Sequence, residues 1–186
     1  LALVGPSGGG KSTAAALIAR LLDVSGGAIE IGGANIKDIP KQALNDTVAY
    51  VFQDNRLLKA TIAENVRLAR PDASDEEVMR ALQAAQCGDI IAKMPQGIHT
   101  TIGGEGHYLS GGECQRVAIA RAILKDAPVI VLDEATAFAD PENEYLVQRA
   151  FERLTRGKTV IMIAHRLSTV TGADRICVLD GGELKE

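Results

Sequence analysis

Short apolar runs alternate with amphipathic segments along most of the chain. The runs at residues 1–4, 129–132 and 159–163 are almost wholly apolar, which is typical of strands in a sheet that is covered on both faces. Residues 11–22 and 110–124 are rich in Ala, Leu and other good helix formers, and they predict helices. This alternation of strands and helices predicts an α/β fold with a mainly parallel sheet.

Local patterns predict the remaining strands of the core. Residues 28–31 and 47–52 predict strands with polar turns between them. Residues 141–154 predict a helix, because a proline stands in its first turn. A strand at 175–179 is followed by the Asp-Gly-Gly sequence of residues 180–182, which favours a hairpin turn.

The pattern changes between residues 62 and 94, where short amphipathic segments replace the strands. Helices are predicted at 62–69 and 74–86, and Ser74 with Glu77 forms a capping box at the start of the second. This stretch therefore predicts a helical subdomain that is inserted in an α/β core.

The predicted domain organisation follows from these elements. We expect a core at residues 1–61 and 125–186 and a helical subdomain at about 62–124. The chain begins at Leu1 inside an apolar run and ends on a charged stretch. We therefore expect a piece of a longer polypeptide, with N-terminal strands and the C-terminal end of the full domain missing from it.

Composition narrows the class of protein. Among the 186 residues, 46% are hydrophobic and 24% are charged, as in an ordinary soluble globular domain. The net charge of −4 argues against a large nucleic-acid footprint, so no nucleic-acid partner is expected. No apolar run reaches about 18 residues, so no membrane span is predicted. Cys87, Cys114 and Cys177 lie far apart, without the spacing of a disulfide framework or metal site, which favours a reducing compartment.

The sequence Gly-Pro-Ser-Gly-Gly-Gly-Lys-Ser at residues 5–12 matches the pattern G-x-x-x-x-G-K-[ST]. It follows a predicted strand and opens a predicted helix, and this context favours a phosphate-binding loop over a plain glycine-rich helix cap. Glycines let backbone N–H groups curl round phosphate oxygens, and the helix N-terminus adds partial positive charge. We expect Lys11 to reach the β- and γ-phosphates and Ser12 to ligate Mg²⁺. The predicted nucleotide-binding residues of this loop are Gly5, Ser7, Gly8, Gly9, Gly10, Lys11, Ser12 and Thr13.

Polar residues follow three other predicted strands, and ligands of open parallel sheets bind beyond such carboxyl ends. Asp133 is predicted to hold Mg²⁺ and Glu134 to act as the base that polarises the attacking water. Gln53 is predicted to orient water or complete the metal shell, and His165 to donate to the γ-phosphate. If these strands are parallel neighbours of the first strand, all these groups converge on one nucleotide. The alternative is that each is an ordinary solvated residue at a strand end.

A second glycine pair opens the helix predicted at 110–124. Ser110 and Glu113 satisfy a capping box, which is the plain structural interpretation. A cap does not need Gly111 and Gly112, however, and glycine costs about 1 kcal/mol in a helix interior. We therefore predict a second anion site here, which either serves the same nucleotide or is shared with a partner chain.

Together these motifs resemble the ABC ATPase family. The Leu-Ser-Gly-Gly-Glu sequence at 109–113 is similar to its signature motif, and residues 129–134 are similar to its Walker B strand. Gln53 matches the Q-loop, His165 the switch histidine and residues 137–140 the D-loop. The matches are in family order across nearly the whole chain.

The resemblance implies a P-loop NTPase core, ATP and Mg²⁺ as cofactors, and a head-to-tail dimer. Each ATP is then expected between Lys11 of one subunit and Ser110, Gly111 and Gly112 of the other, with Asp140 of the D-loop nearby.

Three departures from the family pattern stand out. The D-loop carries Ala-Phe-Ala-Asp at 137–140, so its usual serine is missing. Residues 103–106 read Gly-Gly-Glu-Gly, which moves the acid of the exporters' Gly-Glu-Arg-Gly by one position and questions its contact with a membrane domain. The aromatic residue on which the family stacks adenine belongs upstream of the phosphate loop, outside this chain.

Two kinds of ABC protein carry such motifs. A transporter motor is favoured, because residues 61–66, Thr-Ile-Ala-Glu-Asn-Val, resemble a stretch of exporter-type cassettes. The implied partner is a transmembrane domain on the same polypeptide, and the implied location is the cytoplasmic face of a membrane. Residues 135–144 are similar to cassettes of siderophore-linked transporters. The alternative is a cassette of a soluble ABC ATPase in translation or nucleic-acid maintenance, although no coiled-coil insertion of the chromosome-maintenance type is present.

Overall fold

The chain forms two compact units. The computed structural model describes residues 1–52, 55–104, 107–133, 141–164, 170 and 172–186. The first unit comprises Leu1–Gln53, Ala127–Glu134 and Lys158–Glu186, and the second comprises Asp54–Asp126 and Ala135–Gly157.

The first unit contains all the strands found among the residues that the structure describes. Its elements are β1 (Ala2–Val4), α1 (Lys11–Ile18), β2 (Glu30–Ile31), β3 (Ala34–Asn35), α2 (Lys41–Thr47), β4 (Val48–Val51), β5 (Val129–Asp133), β6 (Thr159–Ile163), β7 (Ile176–Asp180) and β8 (Glu183–Leu184).

Six of these strands form one sheet in the order β4-β5-β6-β1-β7-β8. The strands from β4 to β7 pair in parallel, and β8 returns antiparallel to β7. Val131 of β5 lies opposite Tyr50 of β4 and Ile161 of β6, which fixes the register at the centre. The predicted parallel sheet is confirmed, and β4, β5, β6 and β1, the four strands that candidate site residues follow, are consecutive in it.

The core of this unit lies between the sheet and the helices that cover it. Ala15 of α1 is fully buried in a cluster with Leu3, Val131 and Ile163. Leu44 of α2 joins the same cluster. Because the alanines on α1 are small, this helix packs closely on β1, β5 and β6.

Two local predictions for this unit were incomplete. Helix α1 ends at Ile18 rather than at residue 22, because Arg20 takes a left-handed backbone conformation with φ 53°. Its guanidinium donates to the carbonyls of Ile36 and Ile39 at 2.8 and 3.0 Å. The polar stretch before β4 contains α2, whose buried Leu44 gives it a packing partner that a short polar segment did not suggest.

The second unit is helical. Its elements are α3 (Ile62–Arg67), α4 (Asp75–Ala84), α5 (Gly88–Lys93), a 3₁₀ helix (Gly97–His99), α6 (Gly111–Lys125) and α7 (Pro141–Thr155). Helix α6 packs against α3, α4 and α7. Helix α7 belongs to this compact unit, and its Val147, Ala150 and Leu154 are buried.

The loop between β1 and α1 packs directly on the end of β7. A Cβ at Gly5 would lie 1.9 Å from the carbonyl oxygen of Leu179, and one at Gly9 would lie 2.7 Å from the same atom. The Gly182 N–H of the β7–β8 hairpin also donates to the Gly9 carbonyl at 3.2 Å. Both glycines are therefore required by a neighbouring strand, independently of any ligand.

We expect Gly9→Ala to destabilise the fold by about 1–3 kcal/mol, because the new methyl group would overlap backbone that cannot rotate away. Gly26→Ala is the matched control, since Gly26 is exposed and an added Cβ there meets nothing within 4 Å. The measurement is the free energy of unfolding in urea for both variants. Equal stability of the two variants would contradict the packing account of Gly9.

Candidate functional site

The loop that is predicted to bind phosphate lies between a strand and a helix, which is the context that its sequence predicts. It leaves β1 after Val4 and enters α1 at Lys11, with Gly10 as the N-cap in a left-handed conformation, φ 97°. Gly8 is also left-handed at φ 79°. The first N–H groups of a helix have no partner within the helix, so this end of α1 presents donors to an anion.

The Lys11 side chain folds back onto the phosphate loop and is held there by hydrogen bonds to the backbone of the loop. Its side chain is 4% exposed, and its ammonium donates to the carbonyls of Gly5 and Pro6 at 2.9 and 2.8 Å. A buried ammonium must be hydrogen-bonded, and these carbonyls meet that need. The positive charge is therefore fixed beside the donors at the start of α1.

Ser12 and Asp133 meet although 121 positions separate them in the chain. The Ser12 hydroxyl donates to Oδ1 of Asp133 at 3.2 Å. Asp133 is the last residue of β5, and Ser12 lies in the first turn of α1. A hydroxyl and a carboxylate beside a phosphate loop are the oxygen ligands that Mg²⁺ takes together with phosphate, so the donor set fits this ion.

Tyr50 is a residue of this site that the sequence did not identify. Its hydroxyl donates to Oδ2 of Asp133 at 2.9 Å, and its ring packs on Phe52 with centroids 4.3 Å apart. Burial, with the hydrogen bond and charge of Asp133, raises the pKa of Tyr50, so the phenol stays protonated. The register of β4 against β5 is what identifies Tyr50, because it places Tyr50 on the same face of the sheet as Asp133.

Four predicted site residues fall outside the described residues. These are Gln53, Glu134, Asp140 and His165. The strands that precede three of them, β4, β5 and β6, are adjacent and parallel, so they end at the same edge of the sheet as β1. The roles assigned to these side chains stay predictions.

The second glycine pair lies at the start of α6. Ser110 is its N-cap: the hydroxyl accepts from the Glu113 N–H at 3.3 Å, and the Glu113 carboxylate accepts from the Ser110 N–H at 2.8 Å. A Cβ at Gly112 would lie 3.1 Å from Asn143 of α7. Close helix packing therefore already accounts for Gly112, while Gly111 is exposed. The anion-binding role of residues 110–112 stays a prediction.

Arg116 anchors this end of α6 inside the second unit. Its guanidinium is 1% exposed and donates to both carboxylate oxygens of Asp89 at 2.6 and 3.0 Å. It also donates to the side-chain oxygen of Asn143 at 3.3 Å. Burial alone would raise the pKa of Asp89, but the hydrogen bonds and charge of Arg116 outweigh it and lower this pKa.

The exporter-like stretch at residues 61–66 also has a structural explanation. Thr61 and Glu64 form a capping box at α3, with hydrogen bonds of 3.0 and 2.8 Å. Asn65 is fully buried and donates to the carbonyls of Leu58 and Thr61, both at 3.0 Å. Arg121 of α6 donates to the Asn65 carbonyl at 2.9 Å, so this hydrogen bond joins the segment to α6.

The family model described as ABC transporter matches residues 1–137. The chain belongs to the ABC transporter family. This confirms the resemblance that the motifs carried.

Relatives within the ABC transporter family match the whole chain. The chain is 56% identical over 185 residues to the "Mycobactin import ATP-binding/permease protein IrtA" of Mycolicibacterium smegmatis. It is 53% identical to the "ATP-dependent lipid A-core flippase" of Neisseria gonorrhoeae over 186 residues. All of this chain is covered in both, but only 21% of the first relative and 30% of the second.

A solved structure of the family has the same fold. It is titled "Structure of a bacterial Atm1-family ABC exporter with ATP bound", and the match has a TM-score of 0.89 at 43% identity. The match covers 100% of this chain and 32% of that one. Within the residues that the structure describes, none of the helices of this chain has the length and apolarity to cross a membrane.

We expect Asp89→Asn to lower the free energy of unfolding, because it leaves the buried Arg116 charge without its carboxylate. Removing one partner of a fully buried pair costs about 3–5 kcal/mol, and we expect about 1–3 here, since the Asp89 side chain is 40% exposed and partly screened. Asp72→Asn is the control, because it removes the same charge at an exposed position of the same unit.

The pH dependence gives a second readout of the same pair. Because folding lowers the pKa of Asp89, its contribution is present above the ordinary carboxyl pKa and is lost as the pH falls through the folded value. The stability difference between the parent and Asp89→Asn should therefore shrink below about pH 4. A difference that stays constant from pH 7 to pH 3 would rule out the charged pair as its cause.

Proposed function

We propose that this chain is the ATP-binding and ATP-hydrolysing part of an ABC transporter with exporter-type architecture. The observation that carries the proposal is the position of Ser12 beside Asp133 at the end of β5, next to the buried Lys11. A phosphate loop, a cation and a hydroxyl–carboxylate pair are the groups that a Mg²⁺-nucleoside triphosphate requires. Family membership supports ATP as that nucleotide.

Each described group has a defined part in this proposal. The N–H groups at the start of α1 hold phosphate oxygens, and the Lys11 ammonium neutralises charge on the β- and γ-phosphates. Ser12 and Asp133 hold Mg²⁺, and the Gln53 side chain completes the shell. When bound, Mg²⁺ neutralises charge that develops on the phosphate oxygens.

The proposed hydrolytic residues follow the strands at the same sheet edge. Glu134 comes directly after the ligand Asp133 and acts as the base toward the attacking water. His165 follows β6 and donates to the γ-phosphate. Support for this assignment is the parallel pairing of β4, β5 and β6, which brings the chain to one edge at each of these positions.

We further propose that this chain pairs head-to-tail with a second ATP-binding domain. The start of α6, with Ser110, Gly111 and Gly112, then contacts the nucleotide held by the partner's phosphate loop, and Asp140 of the D-loop lies near it. The Ser110 cap is compatible with this, because its oxygen accepts from Glu113 and its own proton can still be donated.

The wider protein is proposed to contain a transmembrane domain on the same polypeptide and to lie with this chain on the cytoplasmic face of a membrane. The names of the relatives support this, since one is an ATP-binding/permease protein and another is a flippase. They disfavour the alternative, a soluble ABC ATPase. Those relatives differ in the cargo they are named for while sharing more than half of these residues, so we assign cargo choice to regions outside this chain.

We expect Glu134→Gln to abolish hydrolysis and to leave ATP binding intact, because the change keeps the shape and removes the proton acceptor. A general base contributes about 10²–10⁴ in rate. The measurement is steady-state ATPase activity together with nucleotide affinity in the whole protein. Turnover within a few-fold of the parent would remove Glu134 from the proposed role.

We expect Ser110→Arg to block hydrolysis but to leave ATP binding by the monomer nearly unchanged, since the residue is proposed to meet the partner's nucleotide. Lys11→Ala is the comparison, because it should weaken binding in the monomer itself. Mixing the two variants should give a heterodimer with one site that carries both changes and one intact site. Equal loss of monomer binding in both variants would argue against the shared site.

A further inference from the structure

The carboxylate of Asp133 is held at both oxygens by hydroxyl groups from two different elements. Ser12 of α1 donates to Oδ1 at 3.2 Å, and Tyr50 of β4 donates to Oδ2 at 2.9 Å. The first contact belongs to the proposed metal site. The second contact uses the other carboxylate oxygen, Oδ2, and no part of the proposed function requires it.

Strand register explains why a tyrosine at position 50 reaches this carboxylate. Tyr50 pairs with Val131 in the parallel ladder of β4 and β5. Side chains alternate along a strand, so Asp133, two residues after Val131, lies on the same face as Tyr50. The long tyrosine side chain reaches this diagonal neighbour on the adjacent strand, and its hydroxyl donates to it at 2.9 Å. The Tyr50 ring is further restricted by Phe52, at a centroid distance of 4.3 Å and an interplanar angle of 31°.

We propose that Tyr50 is a positioning residue for the metal site: its hydroxyl fixes the rotation of the Asp133 carboxylate, so that Oδ1 stays beside Ser12, where these two residues would hold the Mg²⁺ of bound Mg·ATP. This inference rests on the proposed function. An aspartate carboxylate rotates easily about χ2, and a hydrogen-bond donor on one of its oxygens restricts this rotation. Groups that orient metal ligands in this way change metal affinity about 10- to 100-fold when they are removed.

The test is Tyr50→Phe in the whole protein, which keeps the ring and its packing on Phe52 and removes only the hydroxyl. A fluorescent ATP analogue, mant-ATP, is titrated with EDTA present and then over a series of free Mg²⁺ concentrations. We expect the half-saturating Mg²⁺ concentration to rise about 10- to 100-fold, while affinity in EDTA stays at the parent value. A merely structural bond between β4 and β5 would not change the metal dependence selectively.

Tyr145→Phe is the matched control. It removes a phenolic hydroxyl from a side chain that is 61% exposed on α7, and we expect no change in either titration. Thermal unfolding of both variants is measured in parallel, so that a loss of folded protein is seen directly.

Two outcomes would overturn the role of Tyr50. One is a half-saturating Mg²⁺ concentration that is unchanged or lower in Tyr50→Phe. The other is an equal loss of affinity with and without Mg²⁺, which would indicate packing alone. If the parent protein itself bound mant-ATP no more tightly with Mg²⁺ than with EDTA, the proposed function would fail first, and the inference with it.

Discussion

Parallel pairing of β4, β5, β6 and β1 decides where the chemistry of this chain can lie. The carboxyl ends of parallel strands lie at the same edge of the sheet. The phosphate loop, which follows β1, and Asp133, which ends β5, therefore lie at that edge. The small Ala15 lets α1 pack closely on this sheet, which brings Ser12 within hydrogen-bond distance of Asp133. Every proposed role in phosphate and metal binding within the first unit depends on this alignment.

Glycines in the phosphate loop and at the start of α6 are needed for packing within the protein, whether or not a ligand is bound. Gly5 and Gly9 lie against the Leu179 carbonyl at the end of β7, and Gly112 lies against Asn143 of α7. A larger residue would therefore disturb the fold even where no ligand is bound. Close packing and anion binding make the same demand for a missing side chain, so both can act on one glycine.

In the second unit, the buried Arg116 side chain fixes the position of helix α6. Arg116 is paired bidentately with Asp89 and also contacts Asn143, so one guanidinium links α6 to the start of α5 and to the first turn of α7. Such a pair adds little net stability, but a planar fork accepts only one geometry. The start of α6, where Ser110 caps the helix, is thereby fixed in orientation within its own unit.

The sequence by itself determined the features that depend on local spacing. The phosphate loop, the apolar strand before Asp133, the caps of α4 and α6 and the glycine hairpin after β7 are all encoded within a few residues. Only the tertiary structure decided the early end of α1 at Arg20, the contact of Tyr50 with Asp133 and the reason for Gly112. Each of these joins residues from different elements, and register and helix packing, which no local pattern contains, set their distances.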